Sequence, residues 1–213
     1  MYKTKFKICG IKDTKTIDCC INNNVNYFGL IFYSKSPRYI ELSQAIKLVN
    51  YSKNKPITPV GVFFNEPIVN LKKLLKKLKI QFIQLHGEED LKYINEIKKE
   101  FNVKIIKNIA IKNKNDFKKT YKYINADYIL FDYKPLKKEL PGGNSKSFDW
   151  NLLKNVDVRL PWFLSGGINV ENVNEIGNYA IPYGIDISSG VEDEPGEKSL
   201  EKINILFKSF YEK

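Results

Sequence analysis

TPVGVFFNEPIVNLKKLLKKLKIQFIQLH, residues 58–86, is the stretch of this sequence that decides the fold. It begins with one apolar run, TPVGVFF (58–64), and ends with another, QFIQLH (81–86). Between the two runs, apolar residues recur at helical spacing and lysines occupy the opposite face. The apolar residues are Ile68, Leu71, Leu74, Leu75 and Leu78. The stretch therefore predicts a strand, an amphipathic helix and a second, parallel strand, which is one βαβ unit.

The same alternation of strand and helix repeats eight times along the chain, roughly every 20 to 30 residues. The predicted strands are KFKIC (5–9), YFGLIFY (27–33), TPVGVFF (58–64), QFIQLH (81–86), VKIIKNIA (103–110), DYILFDY (127–133), PWFLSG (161–166) and GIDISSG (184–190). Several are almost continuously apolar, which is typical of strands covered on both faces. The even spacing leaves no linker, so we expect residues 1–213 to form one domain.

Two architectures accommodate such a series of units. Eight parallel strands can close into a barrel, for which roughly 200 residues is near the lower limit. A doubly wound open sheet usually has fewer strands, and a dinucleotide-binding one has a GxGxxG turn after its first strand. The first strand here ends in Cys9-Gly10-Ile11, without that turn. We therefore predict the α/β class and a single (β/α)8 TIM barrel.

Composition excludes several functional classes. The 213 residues include 13 tyrosines and 13 phenylalanines, more apolar surface than a disordered chain carries. Three cysteines without a CxxC pair argue against a disulfide framework and a zinc knuckle. A single histidine, His86, disfavours a histidine-based metal site and a serine-type triad, because both need an imidazole beside particular partners.

Charge and hydropathy bear on the partners. No run approaches the roughly 18 to 20 apolar residues that cross a bilayer, and the N-terminus lacks an apolar signal core. We therefore expect a cytoplasmic protein without membrane contact. The net charge of +11 raises the question of nucleic-acid binding. The basic residues are mostly dispersed lysines, as a general composition bias would produce, so we expect solvated helix faces and at most steering of an anionic ligand.

In a barrel of this kind the reacting groups lie at the C-terminal strand ends and in the loops that follow. The polar residues predicted there are Cys9, Arg38, Asn65, His86, Asp132, Ser165 to Gly167 and Ser188 to Gly190. In the loops after strands seven and eight, glycines let backbone N–H groups approach an anion, and a helix N-terminus adds a favourable dipole. These loops are a frequent phosphate site. We infer a sugar phosphate ligand, with tight turns alone as the alternative.

Three side chains suggest further chemistry. Arg38 is one of only two arginines, and its fork suits a carboxylate on the ligand, although a lone arginine is often merely solvated. Cys9, at the end of a buried strand, is by default a small core residue. Asp132 follows an apolar run that can raise its pKa and keep it protonated for general-acid work. A thiol base and a carboxylic acid across one pocket would suit proton transfer on a sugar.

Together the motifs resemble the phosphoribosylanthranilate isomerase family of tryptophan biosynthesis. The matching stretches are KICGI (7–11), GLIFYSKSPRYI (29–40), VGVFFNE (60–66), IQLHGEE (83–89), LFDYK (130–134), PGGNSKSFDW (141–150), FLSGGINVENV (163–173) and DISSGVEDEPGEKS (186–199). They follow the family's order over nearly the whole chain. Such a series is hard to obtain by chance.

The resemblance implies an Amadori rearrangement of N-(5′-phosphoribosyl)anthranilate to 1-(2-carboxyphenylamino)-1-deoxyribulose 5-phosphate, without cofactor or metal. It implies that Cys9 is the general base and Asp132 the general acid, and that Arg38 holds the anthranilate carboxylate. The residues implied at the phosphate or near the pocket are Gly166, Gly167, Ser189, Gly190, His86 and Asp186. The expected partner is a phosphorylated small molecule, with no nucleic acid, and we expect a monomer or a homodimer.

The sequence departs from the family pattern in three places. Tyr133 follows the acid where threonine is common, the loop reads PGGNSKSFDW (141–150), and Ser34 stands where proline is frequent. None of these changes removes a proposed catalytic group.

Two other classes stay open. The histidine-pathway aldose isomerase would use carboxylate pairs instead of Cys9, and ribulose-phosphate epimerase needs metal ligands that one histidine cannot provide. A basic nucleic-acid-binding domain would bind nucleic acid with an affinity that falls steeply as the salt concentration rises.

Overall fold

The apolar runs form the strands of a closed barrel. The structure is a computed structural model that describes residues 4–136, 142–143 and 145–212. Within these residues eight parallel strands pair in chain order, and β1 pairs with β8 to close the barrel. The strands are β1 (Lys5–Cys9), β2 (Tyr27–Ile31), β3 (Thr58–Phe63), β4 (Phe82–Leu85), β5 (Lys104–Ile111), β6 (Tyr128–Tyr133), β7 (Trp162–Leu164) and β8 (Gly184–Ile187). The predicted TIM barrel is confirmed.

Five α-helices pack around this barrel in the described part of the chain. They are α1 (Thr14–Asn22), α2 (Leu42–Ser52), α3 (Ile68–Leu78), α4 (Leu91–Glu100) and α5 (Leu200–Tyr211). Helix α3 buries Leu71, Leu75 and Leu78 in the hydrophobic core, as its spacing predicts. The Asp13 side chain accepts a hydrogen bond from the Thr16 amide and so caps α1. No helix among these residues is long and apolar enough to cross a membrane.

The expectation of an α-helix after every strand is wrong in three places. Short 3₁₀ segments follow β5, β6 and β7, at Lys114–Tyr123, Trp150–Leu153 and Val173–Asn178. Two of them have only four and six residues, too few to support an α-helix by propensity. A two-stranded hairpin, β9 (Glu192–Glu194) and β10 (Glu197–Lys198), separates β8 from α5. The loop after β8 is thereby brought back over the barrel.

The barrel interior changes from aromatic to polar along its axis. At the N-terminal end Tyr27, Phe163 and Tyr183 pack together, with ring centroids 5.8 Å apart for Tyr27 and Phe163. At the other end the inward-facing residues of β1 include Lys7 and Cys9, since alternate residues of a strand share a face. The polar C-terminal end therefore holds the candidate site.

Candidate active site

The C-terminal strand ends surround a depression with two connected parts. One part is lined by Cys9, Ile31, Tyr33, Arg38, Val62, Phe64, His86, Asp132 and Asp186, among others. The other is lined by Asp132, Lys146, Gly166, Gly167, Asp186 and Ser189, among others. Asp132 and Asp186 lie in both parts. The structure thus brings together the residues expected at the site except Asn65 and Gly190. The amide oxygen of Asn65 accepts a hydrogen bond from the Glu88 N–H outside the depression, and the Cα of Gly190 faces the carbonyl oxygen of Ile168.

Asp132 lies at the end of β6, where it is buried, with 5% of its surface exposed. Burial raises the pKa of Asp132 to about 7, because the charged carboxylate loses its hydration. The backbone N–H of Tyr133 donates to its Oδ1 at 2.8 Å and partly opposes this effect. A backbone N–H supplies that bond whatever side chain follows, so the change from threonine to Tyr133 leaves it in place. Near neutral pH the protonated carboxyl group is well populated and can act as an acid.

His86 follows β4 and lies beside Asp132, with 3.6 Å between its Nε2 and Asp132 Oδ2. Burial lowers the pKa of His86 to about 3, with help from the charges of Lys107 and Lys7, so the imidazole is neutral. Gln84 Nε2 lies 3.0 Å from His86 Nδ1. Because an amide nitrogen only donates, this contact places the ring proton on Nε2, toward Asp132.

Cys9 ends β1, and its neighbour on the same face is a buried ion pair. Lys7 Nζ lies 3.0 and 2.9 Å from the two carboxylate oxygens of Asp186, its register partner on β8. Burial by itself would lower the pKa of Lys7, but the charges of Asp186 and Cys9 raise it above its ordinary value. Burial raises the pKa of the Cys9 thiol, and the Lys7 ammonium opposes the rise. Lys7 is therefore a permanent cation that favours the thiolate form of Cys9.

Arg38 is buried beside Cys9 and is already engaged by a carboxylate. Its Nε donates to Glu192 Oε1 at 2.8 Å, and its Nη2 donates to Glu192 Oε2 at 2.7 Å. Nη2 also lies 3.4 Å from the carbonyl oxygen of Gly143. Lys198 makes a second ion pair with Glu192. Arg38 is therefore not a solvated surface arginine but part of a buried cluster at the edge of the site.

The second part of the depression is lined by backbone groups. Within the described part of the chain, the N–H groups of Gly166, Gly167 and Ser189 donate no hydrogen bond. The carbonyl oxygens of Gly166 and Gly167 accept from Ser147 Oγ at 3.0 Å and Asn172 Nδ2 at 2.9 Å. Free amides beside tethered carbonyls suit an anion. The expected dipole of an α-helix after β7 is absent, because the 3₁₀ segment there begins only at Val173.

The loop after β6 approaches the site closely. Gly142 and Gly143 have φ values of 85° and 69°. A Cβ at Gly142 would lie 2.9 Å from His86 Nε2. Of the 141–150 departure from the family pattern, Pro141 and Asn144 lie outside the described residues.

Sequence reasoning missed several buried polar residues, among them Lys7, Gln84, Glu192 and Lys198. Lys7 and Gln84 stand two positions before Cys9 and His86, so strand alternation was a usable signal for both. Glu192 and Lys198 had no such signal, since they belong to an irregular hairpin in a lysine-rich chain. Among the described residues, no group of three His, Cys, Asp or Glu is arranged to hold a metal ion.

Several known proteins that are similar to this chain are phosphoribosylanthranilate isomerases. The sequence model of the N-(5′-phosphoribosyl)anthranilate (PRA) isomerase family matches residues 6–209. The chain is 39% identical to N-(5′-phosphoribosyl)anthranilate isomerase of Rhizobium johnstonii, over 94% of this chain and 91% of that protein. It is similar to the crystal structure of phosphoribosyl anthranilate isomerase from Thermotoga maritima, with a TM-score of 0.88, 29% identity, and coverage of 99% and 100%.

A second solved structure of a phosphoribosyl anthranilate isomerase contains reduced 1-(o-carboxyphenylamino)-1-deoxyribulose 5-phosphate. Its TM-score to this chain is 0.84, at 28% identity, and the match covers 99% of this chain and 100% of that one. Sequence and fold agree over almost the full length. The chain therefore belongs to the N-(5′-phosphoribosyl)anthranilate isomerase family.

Proposed function

We propose that this chain converts N-(5′-phosphoribosyl)anthranilate to 1-(2-carboxyphenylamino)-1-deoxyribulose 5-phosphate in tryptophan biosynthesis. One observation carries the proposal. Asp132, the buried acid, lies where the two parts of the depression meet, with Arg38 on one side and free backbone N–H groups on the other. That order of groups matches the order of carboxylate, sugar and phosphate in the substrate.

The residues that line the depression indicate how the substrate is oriented. Ile31, Val62 and Phe64 form an apolar surface on the side of Arg38, which suits an aromatic ring that bears a carboxylate. Gly166, Gly167 and Ser189 offer backbone donors to the phosphate, and Gly190 packs closely against the carbonyl oxygen of Ile168 in the loop after β7. The ribose then lies over Asp132, with Cys9 on the neighbouring side of the depression.

The reaction needs two proton transfers. Asp132, protonated, donates to the furanose ring oxygen, the C1–O bond breaks, and the nitrogen lone pair forms a protonated Schiff base. Cys9, as the thiolate, then removes the proton from C2 and gives an enolamine, which tautomerises to the ketone. The cationic Schiff base and the Lys7 ammonium both favour the thiolate at that moment. His86 and Asp186 line the same space, and we place both beside the sugar.

The proposal is tested by the loss of anthranilate-type fluorescence when the purified protein meets freshly generated phosphoribosylanthranilate. Cys9→Ser should lower turnover by about 10² or more with little change in KM, because an alcohol is a much weaker base than a thiolate. Cys19→Ser is the matched control: Cys19 is also buried, but it lies on α1 and contacts Leu200 and Asn204. An inactive wild type would refute the function, and equal activity of both variants would refute the assignment of Cys9.

A further inference from the structure

Glu192 is a buried carboxylate that has no part in the two proton transfers. It begins strand β9, and 7% of its surface is exposed. Burial of a charge is costly unless the charge is paired and hydrogen-bonded, and Glu192 has two cationic partners, Arg38 and Lys198. Burial would raise the pKa of Glu192, but the hydrogen bonds and charges of these partners outweigh it and lower the pKa. Glu192 is thus ionised while it faces Arg38.

The pairing fixes which edge of Arg38 remains for a ligand. Nε and Nη2 make a bidentate contact with Glu192, so that side of the fork is occupied. Nη1 donates no hydrogen bond to any described residue. Gly143 lies against this end, since a Cβ there would come 2.3 Å from Nη1. Arg38 lines the part of the depression with the apolar wall and does not line the other part.

The same cluster reaches the strand end that carries the thiol. Lys198 Nζ, in an almost fully buried side chain, donates to the carbonyl oxygen of Ser188 at 3.1 Å as well as to Glu192. Ser188 Oγ donates to the carbonyl oxygen of Cys9 at 3.0 Å. Arg38 and Lys198 carry one positive charge each and Glu192 one negative charge. Burial lowers the pKa of Lys198 while the charge of Glu192 opposes this effect, so the cluster pairs one carboxylate with two basic side chains.

We propose that Glu192 is a positioning residue that holds Arg38 with its Nη1 end toward the substrate carboxylate, and that it thereby sets the preference for a carboxylate on the aromatic ring. The inference rests on the proposed function and names a specificity determinant of that site. Glu192 acts through Arg38 and does not itself contact the substrate. Lys198 holds Glu192 in place and ties it to the strand end of Cys9.

The test measures equilibrium binding of two unreactive ligands, so it does not depend on turnover. One is reduced 1-(o-carboxyphenylamino)-1-deoxyribulose 5-phosphate, and the other is its phenylamino counterpart without the carboxylate. The Kd of the ligand without the carboxylate, divided by the Kd of the ligand with it, reports recognition of the carboxylate alone. Glu192→Gln should reduce this ratio about tenfold or more, the scale expected when a charged hydrogen bond is lost. Glu194→Gln, an exposed position on the same strand, is the matched control and should leave the ratio unchanged.

A double variant separates positioning from general destabilisation. If Glu192 acts through Arg38, Glu192→Gln should cause no further loss of the ratio once Arg38→Ala is present. Should Glu192→Gln fail to fold, Glu192→Asp retains the charge, withdraws it by one methylene and should also lower the ratio. Equal weakening of both ligands, or losses that add in the double variant, would overturn the inference while the function stands. A wild type that binds the two ligands equally would overturn the inference and the role of Arg38, whereas only an inactive wild type would overturn the function.

Discussion

Replacement of the buried acid, Asp132→Asn, should abolish turnover and at the same time stabilise the fold at alkaline pH. The asparagine side chain has the same shape as the carboxyl group but no acidic proton to transfer and no charge to bury. In the wild type, burial raises the pKa of Asp132 from an ordinary value of 3.8 to about 7. Between these two pH values the folded state binds more protons than the unfolded state, so stability falls as the pH rises.

The size of the effect follows from the two pKa values. The full difference corresponds to roughly 4 kcal/mol, since each unit of pKa is worth about 1.4 kcal/mol. At pH 5 the linkage relation gives a penalty of roughly 1.5 kcal/mol, because the folded carboxyl group is still neutral, and at pH 8 the penalty is roughly 4 kcal/mol. The advantage of Asp132→Asn over wild type should therefore grow by about 2 to 3 kcal/mol between pH 5 and pH 8. For a chain of this size that is a widening of the Tm gap by roughly 5 to 10 °C.

Thermal unfolding of both proteins, followed by circular dichroism at pH 5 and pH 8, measures this gap directly. Titrating groups that do not contact Asp132 are present in both proteins and cancel in the difference. Asp157→Asn, at an exposed position, is the matched control, and its gap should stay constant. A pH-independent gap for Asp132→Asn would show that the carboxylate is not destabilised by burial, and the basis for its role as an acid would fail.

Three further predictions test other parts of the site. Arg38→Ala should raise KM at least tenfold and affect kcat less, because the Nη1 end of Arg38 is expected to bind the substrate carboxylate already in the ground state. An unchanged KM in steady-state kinetics would contradict this prediction. His86→Gln should reduce the loss of Tm between pH 6.5 and pH 4. The reason is that the unfolded state protonates His86 in that range, whereas the folded state, in which the pKa of His86 is about 3, does not. A variant that loses as much Tm as the wild type would argue against a buried neutral imidazole. Gly190→Ala should lower Tm by several degrees and weaken the binding of inorganic phosphate, since a Cβ would lie 1.9 Å from the Ile168 carbonyl oxygen. Gly177→Ala is the control, because a Cβ there meets nothing within 4 Å. Equal Tm values for the two variants would refute a steric constraint at Gly190.

Local pattern predicted the barrel well because each of its units is encoded within about 30 residues. KFKIC (5–9) matches β1 at both ends, and the apolar face of α3 is the one that is buried. Prediction failed after β5, β6 and β7, where helical spacing was expected and 3₁₀ segments formed. At Lys114–Tyr123, Asn113 and Asp116 satisfy each other's backbone groups in a capping box, so the segment is stabilised at its start by local hydrogen bonds.

Site residues were predictable where a strand end or a motif marked them. Cys9, His86 and Asp132 stand at strand ends, and the two glycine loops follow β7 and β8. Their protonation states were harder to predict from the sequence, because the pKa of Asp132 depends on how completely neighbouring loops exclude water. The role of Arg38 was predicted only in part for a related reason. Its partner Glu192 lies within a recognised motif, but the motif does not indicate that the hairpin folds back toward Arg38.

The sequence by itself determined the order of strands, the apolar faces of the helices and the residue types at the strand ends, because these follow from periodicity within each unit. Only the tertiary structure decided which polar residues meet. Lys7 and Asp186 are 179 positions apart and become register partners when β1 closes on β8. Arg38 and Glu192 are 154 positions apart and pair only because the hairpin folds back over the barrel. Strand alternation places Lys7 on the same face as Cys9, but nothing in the local sequence indicates its partner. Nothing distinguishes Lys198 from the many exposed lysines, since burial and partner are properties of the closed barrel and its loops.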